Sequence, residues 1–564
     1  MKFLLIATLM ALFSLAFSAN KKNYQAEFVP GEIIVKLKSS NKSFFQDLED
    51  QGITLKRPIN LSYGTLYVLD IGNNKSIKSV LKSLKNNPNV IYSEPNFIWK
   101  IERPVDSLDI KKISELEEQN GAPNDPLFNT LWGLSNTGSN EPEPPLTGGV
   151  AGADIRALEA WNITKGDKKI KVGVLDTGID YNHPDLKEQI WTNLSELNGK
   201  KGIDDDKNGY VDDIHGYDIF NKDGDPMDGN GHGSHCAGVI GAIHDNGIGV
   251  AGVMGEVSLV PVKFLSDQGA GSSEQAILGL DYAVKIGVDI TSNSWGGAEF
   301  SQALKDAILN ASNNGIVFVA AAGNDSRDND QAPHYPSSYE IPNVISVGGL
   351  TAQNELADWS NYGAGTVLIA APGKNINSTV LKNSYKVHSG TSMATPHVAG
   401  VIGLLLSKEG RIPHSDLKER LMSTSDEVSK LRGKIKRESG RINAYNLLSD
   451  IRPIKKFPKE SEWVDMKVET FESEHPYKEN LTETRIFTVP GAKYLRLKIK
   501  KWELESSYDY LGINSDKDEM QKLSGQGTNG FSEYVDGETL KIVFKSDTSV
   551  NKWGFLIEEI QVIK

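Results

Sequence analysis

Lys171-Val172-Gly173-Val174-Leu175-Asp176-Thr177-Gly178 is an apolar run with a carboxylate at its downstream end and glycine just beyond. The run predicts a buried strand ending at Asp176. Outward from it, further strand-like runs (Val257 to Phe264, Ile316 to Ala322, Val344 to Val347) alternate with helical stretches (His235 to Ile243, Glu274 to Ile286, Ser301 to Asn313). Such alternation between Pro123 and Leu448 predicts an α/β unit, a parallel sheet sandwiched by helices. In sheets of that kind sites form outside the carboxyl ends of the strands, where Asp176 falls.

Two further motifs place reactive side chains at element ends. Gly229-Asn230-Gly231-His232-Gly233-Ser234-His235-Cys236-Ala237-Gly238 puts His232 where glycines give way to a small-residue helix. Ser389-Gly390-Thr391-Ser392-Met393-Ala394-Thr395-Pro396 puts Ser392 in the first turn of an apolar helix, near the only place where Pro396 is tolerated. A serine hydroxyl needs a base to take its proton, and imidazole is the natural one at neutral pH. A buried Asp then orients that imidazole and stabilises its charged form. A developing oxyanion needs donors. Asn324, after the run Val319 to Gly323, has a neutral amide for this, and the Ser392 backbone N–H at a helix start supplies a second. A lone His or Ser among glycines is usually structural; four motifs in one chain point the other way. His235 and His397 are read as packing residues, and Cys236, the one cysteine, as a buried small hydrophobe.

With Asp176, His232, Asn324 and Ser392 in that order, the block from Pro123 to Leu448 resembles the subtilases, the subtilisin-like serine peptidases, in their proteinase K and thermitase-like range. The resemblance implies a serine endopeptidase working through an acyl-enzyme on protein and peptide substrates. It implies an extended substrate strand between two edges, Ser294-Trp295-Gly296 and Gly269-Ala270-Gly271. The primary pocket would be walled by Ser294, Gly296, Ala321, Ala322 and Gly323; its base is not identifiable, and small walls suggest apolar or aromatic side chains, with Asp325 at the rim able to admit a basic one.

Three acidic clusters have oxygen ligands suited to calcium. The first resembles the family's tight site: side chains of Asp125, Asp185 and Asn246 with carbonyls of His244, Ile248 and Val250. The second, Asp204 to Asp213, sets Asp204, Asp206, Asn208 and Gly209 at the first, third, fifth and sixth positions of an EF-hand-like loop, with Asp212 nearby. His215 stands at position twelve, where an EF-hand has Glu, so a truncated calcium loop and a solvated acidic loop both remain open. The third, Asp218 with Asp223 and Asp225, resembles a thermitase-type loop, with Asn221 replacing an acidic residue.

The chain has 564 residues, too many for one ordinary core. Its net charge of −13 argues against nucleic acid as a partner; an acidic surface suits calcium, and equally mere solubility. Met1-Lys2, an apolar run from Phe3 to Phe17 and small residues at 16–19 read as a secretory signal peptide, against the alternative of an uncleaved anchor, and no later run is long enough to span a bilayer. Secretion places the protein outside the cell, with the periplasm or cell surface also open. A single cysteine leaves no disulfide framework.

The organisation expected is signal peptide 1–18, inhibitory propeptide 19–100, processing linker 101–122, peptidase domain 123–449, linker 450–460 and an all-β sandwich 461–564. The propeptide shows strand-like runs at Glu32 to Lys36, Leu66 to Leu69 and Val90 to Tyr92 with helices at Phe44 to Gln51 and Ile77 to Lys85, a small α+β unit. It resembles the subtilase unit that covers the cleft and threads its tail through it as an intramolecular inhibitor, a permanent N-terminal binding domain being the alternative. Glu102 to Gln119, polar and acidic, reads as an exposed linker to be cut between Ile101 and Asn124. The tail resembles a CUB module, with Tyr494-Leu495-Arg496-Leu497, Tyr508-Asp509-Tyr510-Leu511 and Trp553-Gly554-Phe555 in that module's order, and Glu505, Asp509 and Asp547 matching its calcium ligands. The resemblance implies tethering to protein or matrix, or a stability cap, on a monomer. A binding protein on an inactive peptidase scaffold would lack a triad residue or Asn324, and none is missing; a dedicated processing protease stays open.

Overall fold

The computed structural model describes residues 27–39, 42–72, 74–109, 121–142, 148–455, 458, 460–505, 508–515 and 519–564. The expected signal peptide and residues 110–120 of the expected linker lie outside the described residues.

The first unit has strands β1 (Phe28–Leu37), β2 (Thr54–Leu61), β3 (Gly64–Asp70) and β4 (Val90–Ile101), in the antiparallel order β4-β1-β3-β2. Helices Lys42–Glu49 and Ile77–Lys85 cover one face. Alternation along β1 divides the side chains: Ile33 and Val35 pack with Phe44 and Leu84 under those helices. Ile34, with Ile59, Leu66 and Val68, faces the other way and joins a core shared with the next unit. Strand β2 was not anticipated from sequence. It is a mostly exposed edge strand carrying Lys56, Arg57 and Pro58, and an edge needs no apolar period.

After β5 (Asp106–Asp109), the large unit contains β6 (Gly166–Asp176), β7 (Tyr217–Asp218), β8 (Glu256–Lys263), β9 (Ala270–Ser272), β10 (Ile290–Asn293), β11 (Trp295–Gly296), β12 (Val317–Ala321), β13 (Val344–Leu350) and β14 (Ile369–Pro372). Seven of these form an all-parallel sheet, β14-β13-β12-β10-β6-β8-β7. Val172, Val174, Val317 and Val319 point into one core with helices His232–Gly241 and Thr391–Glu409. Leu175, Phe318 and Ala320 point into the other with Ser273–Ile286 and Gln302–Asn313. The expected sheet between helix layers is therefore present, and both its faces are dry. The sheet grows from β6 to β8 on one side and to β10 on the other, so Asp176 ends a strand at the point where the winding reverses. A hairpin of β15 (Ile376–Val380) and β16 (Ser384–Ser389) stands apart, and β5 pairs with β16.

The last unit is all-β. Strands β17 (Val464–Glu472), β18 (Thr482–Thr488), β19 (Tyr494–Glu503), β20 (Tyr510–Asn514), β21 (Glu519–Leu523), β22 (Gln526–Asp536), β23 (Thr539–Lys545) and β24 (Gly554–Ile563) make two antiparallel sheets, β17-β24-β19-β22 and β18-β23-β20-β21. Leu495, Leu497, Ile499, Ile542, Phe544 and Phe555 share a buried core.

Helix His232–Gly241 approaches the turn after β6 so closely that a Cβ on Gly233 would stand 2.1 Å from the Gly178 carbonyl oxygen and 3.2 Å from Asp176 Cβ. Backbone on backbone cannot yield as a flexible side chain would. Gly233→Ala is therefore expected to lower stability by about 1–3 kcal/mol, read as a fall in the thermal unfolding midpoint.

Candidate active site

Asp176 is fully buried at the end of β6, and His232 opens its helix opposite. His232 Nδ1 lies 2.8 Å and 3.0 Å from the two carboxylate oxygens of Asp176, which also accept the Thr177 N–H at 2.7 Å. Because a carboxylate only accepts, Nδ1 carries the proton and Nε2 is left as the basic nitrogen. Burial alone would depress this imidazole, but the charge of Asp176 and the hydrogen bond to it outweigh that and hold His232 above its ordinary value. Beneath the pair, Asp228 accepts from the Thr177 hydroxyl, the N–H groups of Asn230 and Gly231, and both the N–H and hydroxyl of Ser234. This buried carboxylate ties the turn after β6 to the start of the His232 helix. It carried no motif that pointed to it.

Ser392 stands in the first turn of Thr391–Glu409. Its hydroxyl donates at 2.8 Å to the carbonyl of Glu102, the residue whose backbone also lies against His232. Asn324 is oriented by Thr391, whose N–H and hydroxyl both donate to Asn324 Oδ1 at 2.9 Å. Its Nδ2 is thereby turned into the cleft, 3.4 Å from the carbonyl of Arg103. Among the other histidines, His235 Nε2 meets the Ile376 and Lys386 carbonyls and His397 Nδ1 meets the Met393 carbonyl. Burial drives both well down, His397 to about 4, so they are neutral packing groups. Cys236 is buried, its thiol pushed well up by burial.

The end of β4 fills the cleft as the middle strand between two edges. Trp99 and Lys100 pair with Gly271 and Ala270 of β9, and Lys100 and Ile101 pair with Gly296 and Trp295 of β11. Ile101 N–H donates to the Gly269 carbonyl at 2.9 Å and Glu102 N–H to the Ser294 carbonyl at 3.0 Å. Beyond the Ser392 hydroxyl the chain continues along β16, with Val105 N–H on the Ser389 carbonyl at 2.7 Å. Glu102, read from sequence as the start of an exposed linker, is thus seated in the cleft with its side chain 12% exposed. Main-chain pairing takes any side chain, so local polarity does not report it. Beside it, Ala322 is buried and its carbonyl accepts from Asn329 and Asn361, while Gly323, at φ 109°, leaves room for the Asn361 amide.

The acidic clusters differ in how far they converge. Asp125 and Asp185 are both buried, and Asn246 donates its amide to Asp185 at 2.7 Å. Burial, with Asp125 adding charge nearby, pushes Asp185 up to about 6. Two buried carboxylates converging with an amide suit a hard cation. His244 Nε2 meets the Gly252 carbonyl at 2.7 Å; Val250 N–H donates to Asp185 and Ile248 N–H to Asn246, leaving the carbonyls of His244, Ile248 and Val250 as the backbone oxygens to consider.

In the second cluster Glu196, Asp206 and Asp213 have ligand atoms within 4.8 Å of one another. Asn193 bridges Asp206 and Asp213, and Asn208 does the same. Asp204 and Asp212 differ from expectation: their carboxylates face backbone N–H groups of Asn208 and Gly209, and of Gly202. In the third, Asp218 is held by Asn221, Asp223 accepts from Asp225 N–H, and Asp225 accepts from Tyr181; burial, with the Asp223 charge nearby, raises Asp218. Glu505, Asp509 and Asp547 come together within 4.8 Å, Asp509 fully buried and accepting from Tyr477 and from Asp547 N–H.

Comparison with known proteins gives the family. A model described as the subtilase family matches residues 167–443, and one described as the fervidolysin N-terminal prodomain matches residues 16–96. A thermophilic serine proteinase of Bacillus sp. (strain AK1) is 32% identical over 433 residues, 76% of this chain and 90% of that protein. Thermitase of Thermoactinomyces vulgaris is 36% identical over 52% of this chain and 92% of its own length. Subtilisin-like protease 1 of Plasmodium berghei is 35% identical over 55% of this chain and 52% of its own.

Removing the Asp228 carboxylate would leave its five donors unmatched in a dry interior. Asp228→Ala is expected to cost about 3–5 kcal/mol in urea unfolding, and Asp228→Asn distinctly less.

Proposed function

The chain belongs to the subtilase family of serine endopeptidases and carries a prodomain, and from that premise we propose that it is a secreted, calcium-stabilised zymogen that cleaves itself between Glu102 and Arg103. In this reading Asp176, His232 and Ser392 are the triad, and Asn324 with the Ser392 N–H receives the oxyanion. The observation that carries it is the Ser392 hydroxyl 2.8 Å from the Glu102 carbonyl oxygen, beside the buried His232–Asp176 pair.

Ser392 Oγ attacks the Glu102 carbonyl carbon as its proton passes to His232 Nε2. Asp176, on the Nδ1 side, stabilises the imidazolium. The carbonyl oxygen takes up negative charge as it swings towards the donors, and Asn324, its Oδ1 held by Thr391, turns Nδ2 from the Arg103 carbonyl to the adjacent Glu102 oxygen. His232 then gives the proton to the Arg103 nitrogen, the Glu102–Arg103 bond breaks, and an ester joins Ser392 to Glu102. Water, activated by the same imidazole, releases the prodomain carboxyl group. Protein and peptide substrates would later follow the same path between Gly269–Gly271 and Ser294–Gly296, with Ala322 and Gly323 flanking the side-chain pocket.

Calcium is assigned to the converging carboxylates of Glu196, Asp206 and Asp213 and of Glu505, Asp509 and Asp547, and to Asp125, Asp185 and Asn246, where the amide would have to turn its oxygen to the ion. When bound, the ion supplies positive charge that offsets crowded buried carboxylates. Residues 1–18 are assigned as a signal peptide and 461–564 as a CUB-like module that tethers the enzyme to protein or matrix.

Secreted wild-type chain should yield a new N-terminus at Arg103, and Ser392→Ala should stay uncut by gel and N-terminal sequencing; Asn324→Ala should slow processing roughly 10²-fold. A Ser392→Ala chain that matures in isolation defeats the proposal. Chelation should lower the melting midpoint of that uncut chain by about 5 °C or more, and Asp185→Ala should remove most of the difference between calcium and chelator.

A further inference from the structure

The residue whose carbonyl meets Ser392 is also the residue whose side chain enters the primary pocket. Glu102 is held there by its own N–H on Ser294, so its carboxylate has one direction in which to go. It ends with Oε1 2.9 Å from His334 Nε2, the two side chains 12% and 9% exposed. The oxygen lies off the ring N–H axis, so the contact is a close carboxylate–imidazole approach rather than a directed hydrogen bond.

The imidazole occupies space that two glycines leave open. A Cβ on Gly296 would fall 2.2 Å from His334 Nε2, and one on Gly323 would fall 3.2 Å from His334 Cγ. The backbone beneath the ring is tied down on both sides. His334 N–H donates to Ser338 Oγ at 3.1 Å and its carbonyl accepts from Ser337 Oγ at 2.8 Å. The next residue, Tyr335, exchanges both backbone hydrogen bonds with Gly297 at 2.8 Å, which couples this loop to β11, the edge that grips the substrate strand. The surrounding cavity of about 340 Å³ is also lined by Arg327, Asp325 and Glu299.

We propose that the primary pocket selects acidic side chains, glutamate above all, with His334 as the specificity-determining residue; the proposal rests on Ser392 being the nucleophile. An imidazole can meet a shielded carboxylate with an N–H or, when protonated, with a full charge, whereas glutamine in the same place keeps the shape and loses the carboxylate's share of that attraction. An aromatic side chain would have to displace or abut the ring. The walls that looked suited to apolar side chains serve instead to make room for His334.

The test uses mature wild-type enzyme and quenched peptides spanning Phe97 to Val105, with Glu, Gln, Phe or Lys at the position of Glu102. The Glu peptide is expected to have a kcat/KM about tenfold or more above the Gln and Phe peptides. In the full zymogen, Glu102→Gln should slow self-cleavage by a similar factor, and should add nothing in a His334→Ala background. An unchanged thermal unfolding midpoint shows that the variants are folded. Equal rates for Glu and Gln peptides, or an undiminished effect of Glu102→Gln without His334, overturn the acidic preference while leaving the peptidase reading intact. Failure to cleave any of the peptides, or casein, overturns both.

Discussion

The constraint on which the rest depends is the buried contact between Asp176 and His232. A carboxylate sealed from water is tolerated only when donors surround it, and here they come from the imidazole and the following backbone N–H. That requirement determines where the His232 helix must begin and how closely it must lie on the turn after β6. Gly233 allows the approach, and Asp228 holds it by gathering donors from both segments. The reactive end of the molecule is therefore a small polar core within a large apolar one, placed at the reversal of the sheet because only there do strand ends diverge enough to leave a cleft.

Into that cleft the prodomain adds one strand. Pairing on both sides, to β9 and to β11, satisfies backbone groups that an empty cleft would leave to water, and it is indifferent to side chains. Specific attachment comes from elsewhere. Glu94 accepts from Ser301 Oγ and from the N–H groups of Gln302 and Ala303, so it caps the helix Gln302–Asn313 with its charge at the positive end. Asn96 Oδ1 accepts from Glu274 N–H at the head of the neighbouring helix, and Arg57 pairs with Glu274 and Glu32. The prodomain thus adds acceptors at two helix N-termini that the peptidase unit also caps with its own Ser301 and Ser272, which links its folding to that of its partner surface.

What could be read from the sequence was what local backbone chemistry enforces. Glycines around His232, an apolar strand before Asp176 and a serine at a helix start are short-range signals, and each lies where its own segment predicts. The strand Ile290–Asn293 escaped notice because Thr291, Ser292 and Asn293 are polar although buried, so no apolar run marks it. Glu196 belongs with Asp206 and Asp213 although it precedes the acidic loop, so a loop-spacing pattern found Asp206 and missed Glu196 and Asp213. His334 follows Gln331-Ala332-Pro333 in an undistinguished loop, and its meaning comes only from a glutamate 232 positions away. Motifs can be read along the chain, whereas pockets are assembled across it.

In the proposed zymogen the prodomain would be both the first substrate and a persistent inhibitor. Hydrolysis of the Glu102–Arg103 bond alters one covalent link. It removes none of the strand pairing at residues 98–101, leaves the Glu94 cap and the Arg57–Glu274 pair untouched, and keeps the Glu102 side chain beside His334. The new carboxylate at Glu102 adds negative charge at the very place prepared for an oxyanion. Release must then await loss of the prodomain fold itself, whose own core of Ile33, Val35, Phe44, Leu69 and Leu84 is small. A small core that depends on its partner for part of its burial is the element most easily destroyed by an opened protease molecule nearby, so activation would proceed from molecule to molecule once the first cleft is freed.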